Sequence, residues 1–418
     1  MRDKKKALEL LGAKAGGEKM TLEDIGRMTG YEKRQLIRLR KELREKGMEP
    51  TLTHGNAGRK PSTTASDQEI EYLRRFKEPY PRITIAQFRD YFFEDVLQNP
   101  ARGGDVREFG LKPRSASWFR SLFLREGWES PAHKRARSDG DRVTHVVRAP
   151  RPRRGELVQI DGTPYGWFGD GRVATLFLAV DDATTEILAG YFMPTECTRG
   201  YCHVMKSVVD EFGVPMAVYS DKDTVFTSAK GGGVTQFGRM MSLLGVEMIL
   251  ANSPQAKGRV ERENNTVQLR LPNDIKRFGI KDYAELNVWF NAFYKGYLNE
   301  KFAFAPISKK SAFLPLPKDT DLTKVFRLEI QREVRKAGVS YMGDVYLPFE
   351  VDGQLKVIAN GTKVLFCIDA FSEEPYIEHN GKRYNCECVK HGKREKTECA
   401  ANQKDIDRIL TEKDSKPE

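Results

Sequence analysis

The chain has 418 residues, 39% of them hydrophobic and 31% charged, with 70 Lys/Arg against 59 Asp/Glu and a formal net charge of +11. That length exceeds one domain at ~100–200 residues each, and the positive excess argues for a polyanionic partner, nucleic acid or an anionic membrane face. No apolar run approaches the ~18–20 residues that span a bilayer, Ala7–Gly12 is too short for a signal sequence, and six cysteines make no disulfide framework, so a soluble, cytoplasmic, multidomain protein is expected.

The charge is uneven. Residues 1–154 hold 35 Lys/Arg and 22 Asp/Glu, a net of +13, whereas residues 155–418 hold 35 and 37, a net of −2. Residues 1–50 read as a helix-turn-helix domain. Thr21-Leu22-Glu23-Asp24 is a capped helix start with an acidic first turn. Gly30-Tyr31 breaks the chain, and Glu32–Lys46 forms a second helix with Leu36, Leu39 and Leu43 as its apolar stripe. Arg34, Arg38 and Lys41 fall on a different face, suited to a helix entering the major groove. The plainer alternative is a solvated amphipathic helix.

Residues 51–66 have linker composition. Within them Arg59 and Lys60 belong either to a tether or to an arm in an A·T-rich minor groove. Residues 67–130 show helical periodicity at Ile70–Phe76, Ile85–Val96 and Ser115–Arg125. A second helical, helix-turn-helix-like DNA-binding domain is expected there, against a plain helical spacer. Trp118, Phe119, Leu122 and Phe123 should face a core, leaving Arg114, Ser117 and Arg120 outward. Residues 131–154 are an extended basic linker whose arginines, Arg148, Arg151, Arg153 and Arg154 among them, are suited to tracking phosphates.

From Glu156 the texture changes. Glu156–Thr163 is a strand ending at Asp161-Gly162, followed by strands Val173–Val180 and Glu186–Met193. Then come helix Arg199–Phe212, strand Met216–Ser220, helix Thr235–Leu244, strand Val246–Leu250, and helices Gly258–Phe278 and Tyr283–Tyr297. Three strands in sequence, then alternating helix and strand, predict a mixed sheet covered by helices over residues 155–305. Asp161 and Asp221 are placed just past strand C-terminal ends, where α/β sheets hold their ligands. Glu261 opens a helix.

The segments Gln159-Ile160-Asp161-Gly162, Tyr219-Ser220-Asp221-Lys222 and Ser253–Arg262 resemble the three motifs of the DDE integrase core, the RNase H-like fold of retroviral integrases and insertion-sequence transposases. With the Asp161–Phe168 stretch and Thr235–Arg239, the chain most resembles the ISNCY group of transposases. The resemblance implies Asp161, Asp221 and Glu261 as catalytic and metal-binding residues for Mg²⁺ or Mn²⁺, two ions per active site. It implies hydrolytic nicking at a mobile element's ends and attack of the freed 3′-OH on target DNA. Two such ions would hold attacking and departing oxygens in line, and hard cations take oxygen ligands.

Some features depart from the pattern. The Asp221–Glu261 spacer of 39 residues is longer than that usual in retroviral integrases, with Ala229–Gly233 as the insertion. Seven residues past Glu261 stands Gln268 instead of Lys or Arg, with Arg270 two further on; both are candidate DNA contacts. Lys257 and Arg259 are candidates beside the site. Glu263 lies about 200° from Glu261 on a helix, between Val260 and Val267, so only one of the two acids can face the metals. Glu261 is preferred and Glu263 assigned a structural role. Asp181 and Asp182 fit a hairpin turn.

Residues 306–390 are expected to form a small all-β barrel from strands Glu333–Val339, Val339–Leu347, Leu355–Ala359, Lys363–Ile368, Tyr376–His379 and Lys382–Tyr384, with a hairpin at His379-Asn380-Gly381-Lys382. Cys386, Cys388, His391 and Cys399 lack the usual zinc-finger spacing. Residues 391–418 should be a disordered tail. The expected protein is a DNA transposase, at least a dimer on double-stranded DNA, acting on terminal inverted repeats and target DNA in a bacterial-type cytoplasm on the nucleoid. The rivals are a transposase-derived DNA-binding regulator without catalysis and an RNase H-fold nuclease.

Overall fold

The computed structural model describes residues 3–52, 64–131, 148–221, 225–226, 234–250 and 258–389. Among the described residues, eight α-helices precede the first strand: α1 Lys4–Ala15, α2 Leu22–Thr29, α3 Lys33–Lys46, α4 Met48–Leu52, α5 Asp67–Lys77, α6 Ile85–Tyr91, α7 Gly103–Glu108 and α8 Ala116–Glu126. The chain divides into two compact units. One comprises Met1–Phe76 with Gly104–Leu111, the other Lys77–Gly103 with Lys112 onward. The helical stretch 67–130, expected as one domain, is therefore shared between the two.

In the first unit, α1, α2 and α3 close on Ala7, Leu8, Leu11, Ile25, Leu36 and Leu39. The Thr21 side chain accepts from the Asp24 backbone while Asp24 reaches back to the Thr21 N–H, a capping box that fixes where α2 begins. Gly30, at φ 73°, ends α2 in the left-handed conformation, and Glu32 caps α3 three residues after Thr29. In the second unit, α6 continues through a π-helical turn, Phe92–Leu97. Phe88 packs edge-on against Phe119, Phe123 and Trp128 with ring centroids 5.5–5.9 Å apart. Phe119, Leu122 and Phe123 are core as expected, whereas Trp118 is half-buried beneath the Arg114 guanidinium.

The α/β part contains β1 Val158–Tyr165, β2 Ala174–Asp181, β3 Ile187–Met193, α9 Thr198–Phe212, β4 Ala217–Ser220, α10 Gln236–Leu243, β5 Glu247–Leu250 and α11 Gly258–Phe278. Helix α12, Tyr283–Trp289, runs through a π turn into α13, Lys295–Phe302. The five strands order as β3-β2-β1-β4-β5, the first three antiparallel and β1, β4 and β5 parallel, which is the mixed sheet expected. Strand β2 is buried along its whole length because helices cover both faces. Phe177 and Ala179 meet the α9 side, and Leu176, Leu178 and Val180 the α11–α12 side.

Edge strand β3 is sealed by side chains. Asn287, Asn291 and Asn299 each pair with both the N–H and C=O of one residue, respectively Phe192, Gly190 and Ile187, at 2.6–3.1 Å. Backbone groups that would otherwise recruit another strand are thereby satisfied. Gly190 must be glycine for this approach, since a Cβ there would lie 2.3 Å from the Phe290 ring. Helix α6 is fastened to α11 by a buried polar cluster. Asp274 accepts from the Tyr91 and Tyr294 hydroxyls, and Gln87 donates to the Arg270 carbonyl.

The C-terminal part has α14 Leu322–Val325, then β6 Arg327–Glu333, β7 Val339–Tyr341, β8 Asp344–Phe349, β9 Lys363–Asp369, β10 Pro375–His379 and β11 Lys382–Val389. They form an antiparallel sheet ordered β6-β9-β10-β11-β8-β7. Its two outer strands are consecutive in the chain and joined by a short turn, so the sheet curls to near closure around Val339, Tyr346, Phe366 and Ile377. Asn380 (φ 49°) and Gly381 (φ 74°) make the two-residue left-handed hairpin turn the sequence signals. Leu355–Ala359 is not a strand, though it meets the sheet at a Phe349–Leu355 bridge, at the Lys356 N–H to Pro348 carbonyl bond of 2.9 Å and through buried Ile358, and residues 334–338 form a bridged turn instead of a strand. His391 and Cys399 lie outside the described residues.

Candidate active site

Strand β1 continues through Asp161 to Tyr165, so Asp161 is its fourth residue instead of lying past its end. What ends near Asp161 is the pairing with β4. The parallel register matches Val158 with Val218 and Gln159 with Tyr219, and carried on by two residues it would set Asp161 opposite Asp221, the residue just past β4. Neighbouring strands are ~4.8 Å apart and residues of like parity share a face, so both carboxylates leave the same side of the sheet. Both are half-buried. Tyr201 on α9 senses the pair. Burial first, then the negative charges of Glu196, Asp161 and Asp221, hold its phenol firmly protonated. Its hydroxyl donates to Glu196 at 2.8 Å.

Helix α11 crosses this side of the sheet. Its buried stripe includes Val260, Val267 and Leu271, and Glu263 lies among them with burial pushing its carboxyl up to about 7. Glu261 and Asn265 are exposed and Gln268 is half-buried. One residue that sequence reasoning missed touches Asp161 directly. Asn264 Nδ2 donates to Asp161 Oδ2 at 2.7 Å, and the other amide atom, Oδ1, is buried with no hydrogen-bond partner among the described residues. Its signal was its spacing, three residues after Glu261 on the same helical side.

The donors at hand are carboxylate and amide oxygens, the ligand type that hard divalent cations take, and the buried Asn264 Oδ1 is an acceptor with no donor among the described residues. The donor chemistry therefore fits Mg²⁺ or Mn²⁺. Among the described residues, no three His, Cys, Asp or Glu side chains are gathered closely enough to hold an ion. Glu261, on the exposed first turn of α11, is not brought into a cluster with the two aspartates.

Two relatives align with this chain. A protein of Sinorhizobium fredii with the provisional name transposase y4bF is 40% identical over 181 residues, 42% of this chain and 39% of its own length. The transposase for insertion sequence IS1202 of Streptococcus pneumoniae is 28% identical over 375 residues, 84% of this chain and 79% of its own. The match to the first thus spans well under half of that relative. No family model matches. Among solved structures, the HTLV-2 integrase catalytic core domain with magnesium is 15% identical, covering 33% of this chain and 85% of that one at a TM-score of 0.27. The simian T-cell lymphotropic virus intasome is 12% identical, covering 68% and 95% at 0.30. Both scores are too low to argue from. No described helix is long and apolar enough to cross a membrane.

The candidate DNA contacts divide sharply. Arg34, Arg38 and Lys41 are exposed on one face of α3, as are Ser117 and Arg120 on α8. Two others are corrected. Arg270 is buried and paired with Asp90 at 3.0 Å, and Arg259 is paired with buried Asp182 at 2.9 Å, so neither guanidinium is open to a phosphate. The described end of the basic linker is likewise engaged. Arg148 pairs with Asp182, Arg153 with Glu156, and Arg154 forks onto Glu186. Arg59, Lys60 and Lys257 lie outside the described residues.

Proposed function

We propose that this chain is a DDE-type DNA transposase with an RNase H-like core, of the kind the ISNCY resemblance suggests. It would bind the ends of a mobile element, nick them, and join the freed 3′-OH ends to target DNA. The observation that supports this most is the parallel β1–β4 register, which carried on by two residues sets Asp161 opposite Asp221, beside the helix that carries Glu261. The long alignment with an insertion-sequence transposase points the same way.

In this reading Asp161, Asp221 and Glu261 would hold two Mg²⁺ or Mn²⁺ ions, which would supply activation of an oxygen nucleophile and charge neutralisation at the leaving oxygen. Asn264 orients Asp161 by its amide hydrogen bond to Oδ2. Helices α2 and α3 serve as a helix-turn-helix that lays Arg34, Arg38 and Lys41 against the duplex, with Ser117 and Arg120 on α8 as a second contact. Two ends must be held together for joining, which calls for at least a dimer on DNA.

Clustered carboxylates repel until a cation binds. Mg²⁺ or Mn²⁺ should therefore raise the melting temperature, and Asp161→Asn should blunt the rise. An undiminished response in the variant would reject the metal assignment.

A further inference from the structure

Residue Asp182, at the turn between β2 and β3, is fully buried, yet it does not merely close that turn. Its neighbour does so, since Asp181 accepts from the Ala183 and Thr184 backbone N–H groups and from the Thr184 hydroxyl. The Asp182 carboxylate points elsewhere and gathers four donors. They are the Arg148 guanidinium, the Arg151 backbone N–H at 2.8 Å, Gln159 Nε2 at 2.7 Å and Arg259 Nη1 at 2.9 Å. A buried carboxylate is tolerated when its oxygens are filled in this way.

Two of those donors lead to the first turn of α11. Arg259 is its second residue and also donates to the Arg148 carbonyl at 3.2 Å. Gln159 turns its amide nitrogen to Asp182 and its amide oxygen to the Val260 N–H at 3.1 Å. That N–H is one of the first-turn donors that a helix cannot satisfy internally. The helix start is therefore pinned twice, by a charge-assisted pair at residue 259 and a side-chain cap at residue 260. Glu261 is the next residue. Gln159 also stands two residues before Asp161 on the same strand face, so the strand that carries one candidate acid locates the turn that carries another.

We propose that Asp182 is a positioning residue for the active site, acting through Arg259 and Gln159 to fix the first turn of α11 and thereby the place of Glu261. This rests on the reading of Glu261 as a catalytic carboxylate. The third partner, Arg148, extends the tie to the segment that enters the α/β core, so that segment and the helix start share one buried anion.

The test uses the full chain with Asp182→Asn, which keeps the side-chain size and removes the charge, and with Arg259→Met as a second variant should the first fail to fold. Amide hydrogen exchange over residues 258–266 should quicken in both variants while exchange in β2 and α9 stays as in the parent. Mg²⁺-dependent nicking of an end-containing duplex should lose between about 10- and 100-fold in kcat, as misplacement of a reacting group does, with KM for DNA unchanged. Unchanged exchange at 258–266, or a loss in kcat matched by an equal change in KM and a general rise in exchange, would overturn the proposal. Glu261→Gln is run alongside. If that variant nicks like the parent, the catalytic reading fails, and the exchange data still judge whether Asp182 holds the helix start.

Discussion

The cations of the two units are alike in sequence and differ in what surrounds them. On α3 of the first unit, Arg34 and Arg38 are exposed and carry no ion pair among the described residues, and Lys41 has only an exposed contact with Glu45 at 3.8 Å. In the other unit, Arg154, Arg259, Arg270 and Arg277 are each bonded to carboxylates of their own fold, and Arg270 and Arg277 reach the acids at the end of α6. The lesson concerns how a positive balance is read. Net charge counts side chains, but a phosphate meets only those that still face water, and exposed pairs contribute little. Among the described residues the electrostatic footprint is therefore best sought on α3 and α8, and the buried or paired arginines of the α/β part are structural.

Breaking that contrast should have unequal effects. The largest is expected at Arg270→Met, which leaves Asp90 without its buried partner and should destabilise the fold by about 3 kcal/mol or more. Chemical denaturation would measure it, and the salt dependence of DNA binding should stay as in the parent. A salt slope that drops with the stability intact would return Arg270 to the DNA surface. Within the site, Asn264→Ala should cost about 10- to 100-fold in metal affinity or nicking, the usual effect of removing an outer partner of a ligand. Calorimetric titration with Mn²⁺ would check it, and parent-like affinity would remove Asn264 from the account.

Smaller effects belong to the open cations. Arg34→Ala or Arg38→Ala should weaken DNA binding, lower the slope of log affinity against log salt by about 1, and leave the melting temperature nearly unchanged. An unchanged slope would favour a merely solvated helix. The smallest effect concerns His203, stacked on Tyr191 with ring centroids 3.9 Å apart. Burial, helped by the Arg199 charge, pulls its pKa down to about 4. A depressed histidine binds fewer protons folded than unfolded, so its stabilising effect is present above the unfolded value near 6.5 and is lost as pH falls toward 4. His203→Phe should flatten stability across that window in thermal scans, whereas an unchanged pH profile would contradict the buried neutral ring.

Much of the α/β part is legible in the sequence because its signals are local. Strand β2 reads as apolar throughout since helices cover both faces, and α11 starts and ends within its expected bounds. The Asn380-Gly381 hairpin and the Thr21 capping box are likewise short-range devices. Partners distant in sequence are not legible. No spacing rule links Arg259 to Asp182, Arg270 to Asp90, or Asn264 to Asp161, separated by 77, 180 and 103 positions. The same blindness explains Asp182, which its neighbours mark as a turn residue although its carboxylate binds four groups from three other segments. Gly162 and Pro164 resemble strand breakers and so suggest that Asp161 lies past a strand end, yet β2 pairs with β1 as far as Tyr165.

The most direct test is a joining assay with a pre-nicked element end, target DNA and Mg²⁺, comparing the parent chain with Asp161→Asn and Asp221→Asn. The account predicts covalent joining of the 3′-OH end by the parent chain, its loss when Mg²⁺ is chelated, and a decrease of at least about 100-fold in either variant, as removal of electrostatic stabilisation at a reacting oxygen produces. Joining by the variants at the parent rate, or none by a parent chain that binds the end, would contradict it.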